Sequence, residues 1–132
     1  MEKNQLTLQI MDDCLSICKL DSSAGYLDWA WVCNDSSAFI SVTRTKDELS
    51  IVCPERLVPR SVQAEYGWKG LKVKGQLDFS LTGILSSIAK PLADNEISIF
   101  AISTYNTDYI LIKQEDIKAA VGVLSSDFHI ET

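Results

Sequence analysis

Leu81-Thr82-Gly83-Ile84-Leu85-Ser86-Ser87-Ile88-Ala89-Lys90-Pro91-Leu92 sets apolar side chains at positions 81, 84, 85, 88, 89 and 92. That is the stripe of an amphipathic helix lying on a flat surface. Asp78 or Ser80 can cap its N-terminus. Pro91 lacks an N–H, so a kink or an end is expected near Lys90. The neighbouring segments supply the flat surface. Trp68 to Gly75 alternates, with Leu71 and Val73 against Lys72 and Lys74, and reads as a strand. Ile97 to Thr104 is rich in β-branched residues and Tyr105-Asn106-Thr107 is turn material. Asp108 to Lys113 is a further strand. Gln114-Glu115-Asp116 opens a second helix with acids where its dipole favours them, and its stripe is Ile117, Ala120, Val121 and Leu124. Phe128-His129-Ile130 closes as a last strand. The order β-α-β-β-α-β predicts an α+β fold: a ferredoxin-like sandwich with an antiparallel sheet and its helices on one face.

The first half reads as a degraded copy. Leu6 to Ile10 alternates and Cys14 to Leu20 is apolar enough for a strand, with a loop or bulge expected at Asp12-Asp13 between them. Gly25 to Val32 is a short aromatic stretch of helical character. Phe39–Thr43 and Leu49–Cys53 bracket the turn Arg44-Thr45-Lys46-Asp47, and Pro54 and Pro59 limit any helix after it. A shift of 61 residues lays Phe39 on Phe100, Thr43 on Thr104, Asp47 on Asp108 and Ile51 on Ile112. The repeated order predicts a tandem duplication, with modules at 1–66 and 67–132.

Composition bounds the function. With 46% hydrophobic and 23% charged residues, 132 residues can bury a core without staples. No apolar run reaches the ~18 residues of a membrane span. Met1-Glu2-Lys3-Asn4-Gln5 lacks the basic and apolar regions of a secretory signal, so a cytoplasmic protein is expected. The net charge of −6 is the wrong sign for nucleic acid or an anionic membrane surface. Lys69, Lys72 and Lys74 are the one basic cluster and read as a solvated strand face. Cys14, Cys18, Cys33 and Cys53 form no C-x-x-C pair, and His129 is the single histidine. Buried thiols are expected, with no metal and no cofactor. No nucleophile–base motif is present, so a non-catalytic protein is expected.

Two polar segments could bind a ligand. Asp78-Phe79-Ser80-Leu81-Thr82-Gly83 places hydroxyls and a glycine at the opening turn of a helix, where free N–H groups can hold an anion. Ser80 serves equally well as a plain cap, and Gly83 as a packing position. Ser103-Thr104-Tyr105-Asn106-Thr107-Asp108 follows an apolar strand, and a plain turn also explains it. In a β-α-β-β unit the two segments fall in the same region. A carboxylate could sit on the helix start and an ammonium against Asp108, which suits a zwitterion such as a free amino acid.

The strings Ser41-Val42-Thr43-Arg44-Thr45, Leu77-Asp78-Phe79-Ser80-Leu81-Thr82-Gly83-Ile84-Leu85 and Ile97 through Tyr109 resemble the tandem-ACT proteins of bacteria. That group is similar to the CASTOR arginine sensors and to the regulatory ACT modules of aspartate kinase, and the resemblance covers roughly residues 36 to 125. It implies two ACT modules with an effector bound at a module interface. On matching positions it implies contacts from Ser41 and Val42, backbone groups from Phe79 to Gly83, a lining of Ile102, Thr104 and Tyr105, and a positive group held by Asp108. It also implies a homodimer, an allosteric sensor role and a regulated protein acted on in trans, since 132 residues leave no room for a catalytic domain. A protein-interaction scaffold with a vestigial pocket is the rival reading.

Overall fold

The computed structural model describes residues 6–74 and 83–132. In chain order the elements are β1 (Thr7–Leu20), α1 (Tyr26–Trp29), β2 (Ser41–Arg44), β3 (Leu49–Pro54), β4 (Gln63–Lys74), α2 (Ile84–Asp94), β5 (Ile99–Ser103), β6 (Asp108–Lys113), α3 (Ile117–Leu124) and β7 (His129–Glu131). Single 3-10 turns follow α1, β3 and β6. The chain divides into two compact units, Asp13–Gly67 and a second that joins the stretch up to Asp12 to Trp68–Thr132. Along the chain, β1 crosses the division at Asp12–Asp13 and β4 at Gly67–Trp68.

The larger unit is built on antiparallel pairs. Trp68 on β4 faces Lys113 on β6, and Ile99 on β5 faces Ile112 on β6. Alternation sends Leu71, Val73, Ile110 and Ile112 to one face, where Ile88 and Leu92 of α2 and Ala120 and Leu124 of α3 cover them. All eight are essentially inaccessible to water. Each large aliphatic side chain so buried contributes about 1.5–3 kcal/mol. On the opposite face Trp68 meets Phe100 edge-on, and the Lys113 ammonium lies 5.1 Å from the Trp68 ring.

The sheet departs from a purely antiparallel one at β7. This strand pairs in parallel with β1, Leu8 opposite Ile130, and Leu8 joins the same core. The N-terminal part of β1 therefore belongs with the C-terminal unit. β1 runs continuously through Asp12-Asp13, so of the loop or bulge expected there the loop is not found. The Asp13 carboxylate and the Asp12 backbone each find a partner. Asp13 pairs with Arg56 at 3.4 Å, while Lys69 donates to the Asp12 carbonyl oxygen at 2.6 Å. The helix α2 runs through Pro91 to Asp94 rather than ending at Lys90. Pro91 removes one hydrogen bond, but Ile88 and Leu92 on either side are locked into the core, and Asn95 Nδ2 caps the Pro91 carbonyl at 2.8 Å. The proposed caps Asp78 and Ser80 lie outside the described residues; the N-cap is Gly83.

The smaller unit has its own core. Here β3 pairs antiparallel with both β1 and β2, Cys53 facing Ser16 and Ile51 facing Val42. Cys18, Leu49, Ile51, Cys53 and Val32 are buried together, with Trp29, Trp31 and Ile40 packed against them. Gly67 ends this unit within β4 at φ +82, a conformation that glycine takes without strain, and its N–H donates to Glu55 Oε2 at 3.1 Å.

The two hairpins are equivalent, with an offset that differs from 61. Thr45 N–H donates to the Glu48 carbonyl at 2.9 Å, and Thr104 N–H to the Thr107 carbonyl at 2.8 Å. β3 starts at Leu49 and β6 at Asp108, and the following 3-10 turns start at Glu55 and Gln114. Each pair (45 and 104, 49 and 108, 55 and 114) differs by 59. Aligning phenylalanine on phenylalanine gives 61; backbone geometry gives 59.

Candidate functional site

Of the sequence-predicted residues of the larger unit, Ile102, Ser103, Thr104, Tyr105 and Asp108 lie on the β5–β6 hairpin. Ile102 and Ser103 end β5, and Ser103 stands opposite Asp108 at the start of β6. Between them the turn Thr104–Thr107 closes on itself. Thr104 Oγ1 donates to the Thr107 carbonyl oxygen at 2.9 Å and accepts from the Thr107 N–H at 3.3 Å. Thr107 is 7% exposed and its hydroxyl donates to the Val73 carbonyl oxygen at 2.6 Å. Val73 is the penultimate residue of β4, so the turn is fastened to the end of the strand from which the chain leads to α2. Ser103 and Thr104 are exposed, Ile102 and Asp108 half-buried, and Tyr105 stands out at the tip, 84% exposed.

Gly83 is the N-cap of α2, at φ +80, and its carbonyl accepts the Ser87 N–H at 2.8 Å. A side chain there would meet nothing within 4 Å among the described residues, and the positive φ is the feature that favours glycine. Asp78, Phe79, Ser80, Leu81 and Thr82 lie outside the described residues. Ser41 and Val42 belong to the other unit, on β2 opposite Val52 and Ile51; Val42 is 39% exposed. The structure thus brings Ile102, Ser103, Thr104 and Asp108 together on one hairpin. Thr107, which positions them, is not among the residues singled out from sequence; the Thr-x-x-Thr spacing is the signal for it.

These groups are hydroxyls and one carboxylate. They can accept and donate hydrogen bonds to a polar ligand and hold a cation, which is binding chemistry. Among the described residues no group of three or more His, Cys, Asp or Glu is placed to hold a metal ion. No helix of the described residues is long and apolar enough to cross a membrane.

In the smaller unit the charged cluster is structural. Arg56 bridges Asp35 at 2.7 Å and Asp13 at 3.4 Å. The Ser37 hydroxyl, then the Arg56 guanidinium and the Ser37 N–H, hold the Asp35 carboxyl down to about 2. Ser16 sits between two buried thiols, its hydroxyl donating to the Cys53 carbonyl at 3.1 Å and lying 3.6 Å from Cys18 Sγ.

Residues 63–126 match the ACT domain family, and residues 13–61 match a family described as an N-terminal domain. The human protein CASTOR3P is 36% identical over 105 residues, 70% of this chain and 64% of that protein. The mouse cytosolic arginine sensor for mTORC1 subunit 1 is 28% identical over 74% of this chain but 33% of its own length. The chain therefore spans from about a third to just under two-thirds of these relatives. A crystal structure of a protein from Agrobacterium tumefaciens superposes with a TM-score of 0.87 at 34% identity, covering 96% of this chain and 92% of that one. The regulatory subunit of aspartate kinase from Thermus thermophilus shares the fold, with a TM-score of 0.64 at 8% identity over 91% and 95% of the two chains.

Proposed function

We propose, from the match of residues 63–126 to the ACT domain family and the likeness to its relatives, that this chain is a non-catalytic regulatory protein that binds a free amino acid. The seat is the end of the larger unit formed by Ser103, Thr104 and Asp108. Asp108 holds the ligand's ammonium or cationic side chain, and the backbone at the start of α2 from Gly83 takes its carboxylate. The observation that carries this reading is the braced turn. Thr107 spends its hydroxyl on the Val73 carbonyl, which leaves Ser103, Thr104 and Asp108 presented on a rigid support instead of a free loop. Rigid presentation lowers the ordering cost of binding a small polar ligand. Relatives from mouse and human are named cytosolic arginine sensors, so arginine is the first ligand to test. We further place the protein in the cytoplasm as a homodimer that regulates a partner in trans, with ligand and partner favouring one packing of its ACT modules.

A thermal-shift screen against the common amino acids tests the reading. At ligand ~100 times its Kd a stabilisation of about 2.7 kcal/mol is expected, a rise of several degrees for this chain length. Asp108→Ala should remove the shift and leave the unliganded Tm nearly unchanged. A flat response to every amino acid would favour an interaction scaffold instead.

A further inference from the structure

Arg44 is the last residue of β2, immediately before the Thr45–Glu48 turn. Its guanidinium donates from Nη1 to the Ser22 carbonyl oxygen and from Nη2 to the Ala24 carbonyl oxygen, the latter at 2.8 Å. Both carbonyls come from the loop between β1 and α1. That loop is held independently of Arg44. The Ser23 N–H and hydroxyl both donate to Asp21 Oδ1, at 2.9 and 2.7 Å, and Ala24 N–H donates to the Asp21 carbonyl at 2.9 Å. Gly25 N–H is taken by Asp28 Oδ2 at 2.9 Å. The two acceptors are thus preset, and the planar fork of an arginine matches a pair of acceptors as a lysine cannot.

The 59-residue equivalence between the hairpins gives this contact its meaning. Thr45 corresponds to Thr104, so Arg44 corresponds to Ser103. One unit carries a guanidinium at the end of its second strand, bound to the loop before its first helix. The other carries a short hydroxyl there. We propose that the Ser22 and Ala24 carbonyls form a guanidinium-binding site filled in cis by Arg44, so that the unit Asp13–Gly67 supplies its own ligand and takes no free one. Resting on the amino-acid reading above, it follows that each chain binds one ligand.

Methylguanidinium is the probe, because it lacks the α-carboxylate and ammonium of an amino acid. Methylammonium at equal concentration controls for screening of the net charge of −6. Arg44→Ser should melt several degrees below wild type. Millimolar methylguanidinium should restore it along a saturating curve, methylammonium should not, and wild type should respond alike to both salts. If Arg44→Ser and wild type respond equally to both, the site does not exist. Should Arg44→Ser fail to fold, Arg44→Lys keeps the charge without the fork: a lowered Tm with selective recovery in methylguanidinium supports the proposal, and a wild-type Tm overturns it. Titration calorimetry of wild type with arginine separates the two readings. One site per chain supports the proposal and two overturn it. No binding of any amino acid defeats the proposed function, and the methylguanidinium result then decides by itself whether Arg44 fills a guanidinium site.

Discussion

The Thr107 hydroxyl donates to the Val73 carbonyl oxygen across 2.6 Å, fastening the β5–β6 turn to the end of β4. Thr107 is a buried polar residue at 7% exposure, so the bond is sheltered from water. Removing the hydroxyl while keeping the shape leaves the Val73 acceptor short of a partner. Thr107→Val should therefore cost about 1–2 kcal/mol. In urea the midpoint should fall with the slope unchanged, and Thr107→Ser should recover most of the loss. If the turn is the seat of a ligand, Thr107→Val should also weaken ligand binding more than an equally destabilising core change such as Ile88→Val.

Gly83 offers a cleaner backbone test. It sits at φ +80 with no neighbour within 4 Å of an added Cβ among the described residues, so a substitution there tests the conformational cost. An alanine in the left-handed region costs roughly 1–2 kcal/mol, and asparagine tolerates that region better. Gly83→Ala should lower thermal stability by several degrees, and Gly83→Asn by less. Equal effects from the two would show that side-chain size, not backbone hand, sets the cost.

What could be read in advance follows the range of each interaction. The stripe Ile84, Leu85, Ile88 and Leu92 is local, and α2 packs through it as the period requires. Strands β5 and β6 are legible because apolar runs flank a polar turn. The pairing of Leu8 with Ile130 is not, because it joins residues at opposite ends of the chain and leaves no local pattern. Pro91 read alone allows a helix end at Lys90 that does not occur: its missing N–H is a local loss, and the burial of Ile88 and Leu92 that outweighs it is tertiary. Asp12-Asp13 read alone allows a loop that is not found, and its partners Arg56 and Lys69 arrive from elsewhere in the sequence. For the site, the hairpin residues are legible as an end-of-strand polar cluster. Thr107 and Arg44 are not, because their partners Val73, Ser22 and Ala24 are backbone carbonyls, which every residue has.

Acid should weaken the smaller unit through Asp35. Its carboxyl is held down to about 2, first by the Ser37 hydroxyl, then by Arg56 and the Ser37 N–H. An unfolded aspartate titrates near ~3.9. Between these values the unfolded chain binds the proton and the folded chain does not, so stability is present above pH ~4 and drains away as pH falls toward 2. The urea midpoint of wild type should drop through that window, and Asp35→Asn should flatten the drop. Arg56→Ala should flatten it less, because Ser37 remains as the larger cause. An equal slope in wild type and Asp35→Asn would remove Asp35 from the account.

The thiols should separate by access. Cys33 is exposed, whereas Cys18 and Cys53 are buried at 1% and 0% exposure beside Ser16. The hydrogen bond with Cys18, followed by burial, pushes the Cys53 thiol up, so it stays protonated near neutrality and is a poor nucleophile. A neutral-pH reaction with an aromatic disulfide reagent should show a fast phase that Cys33→Ser removes. Cys18 and Cys53 should react only as the unit opens, and their rate should rise with urea in step with unfolding. Fast labelling of Cys53 in folded protein would mean that the β1–β3 pairing, Ser16 opposite Cys53, opens readily on its own, and would place the weak point of the molecule in the smaller unit's core.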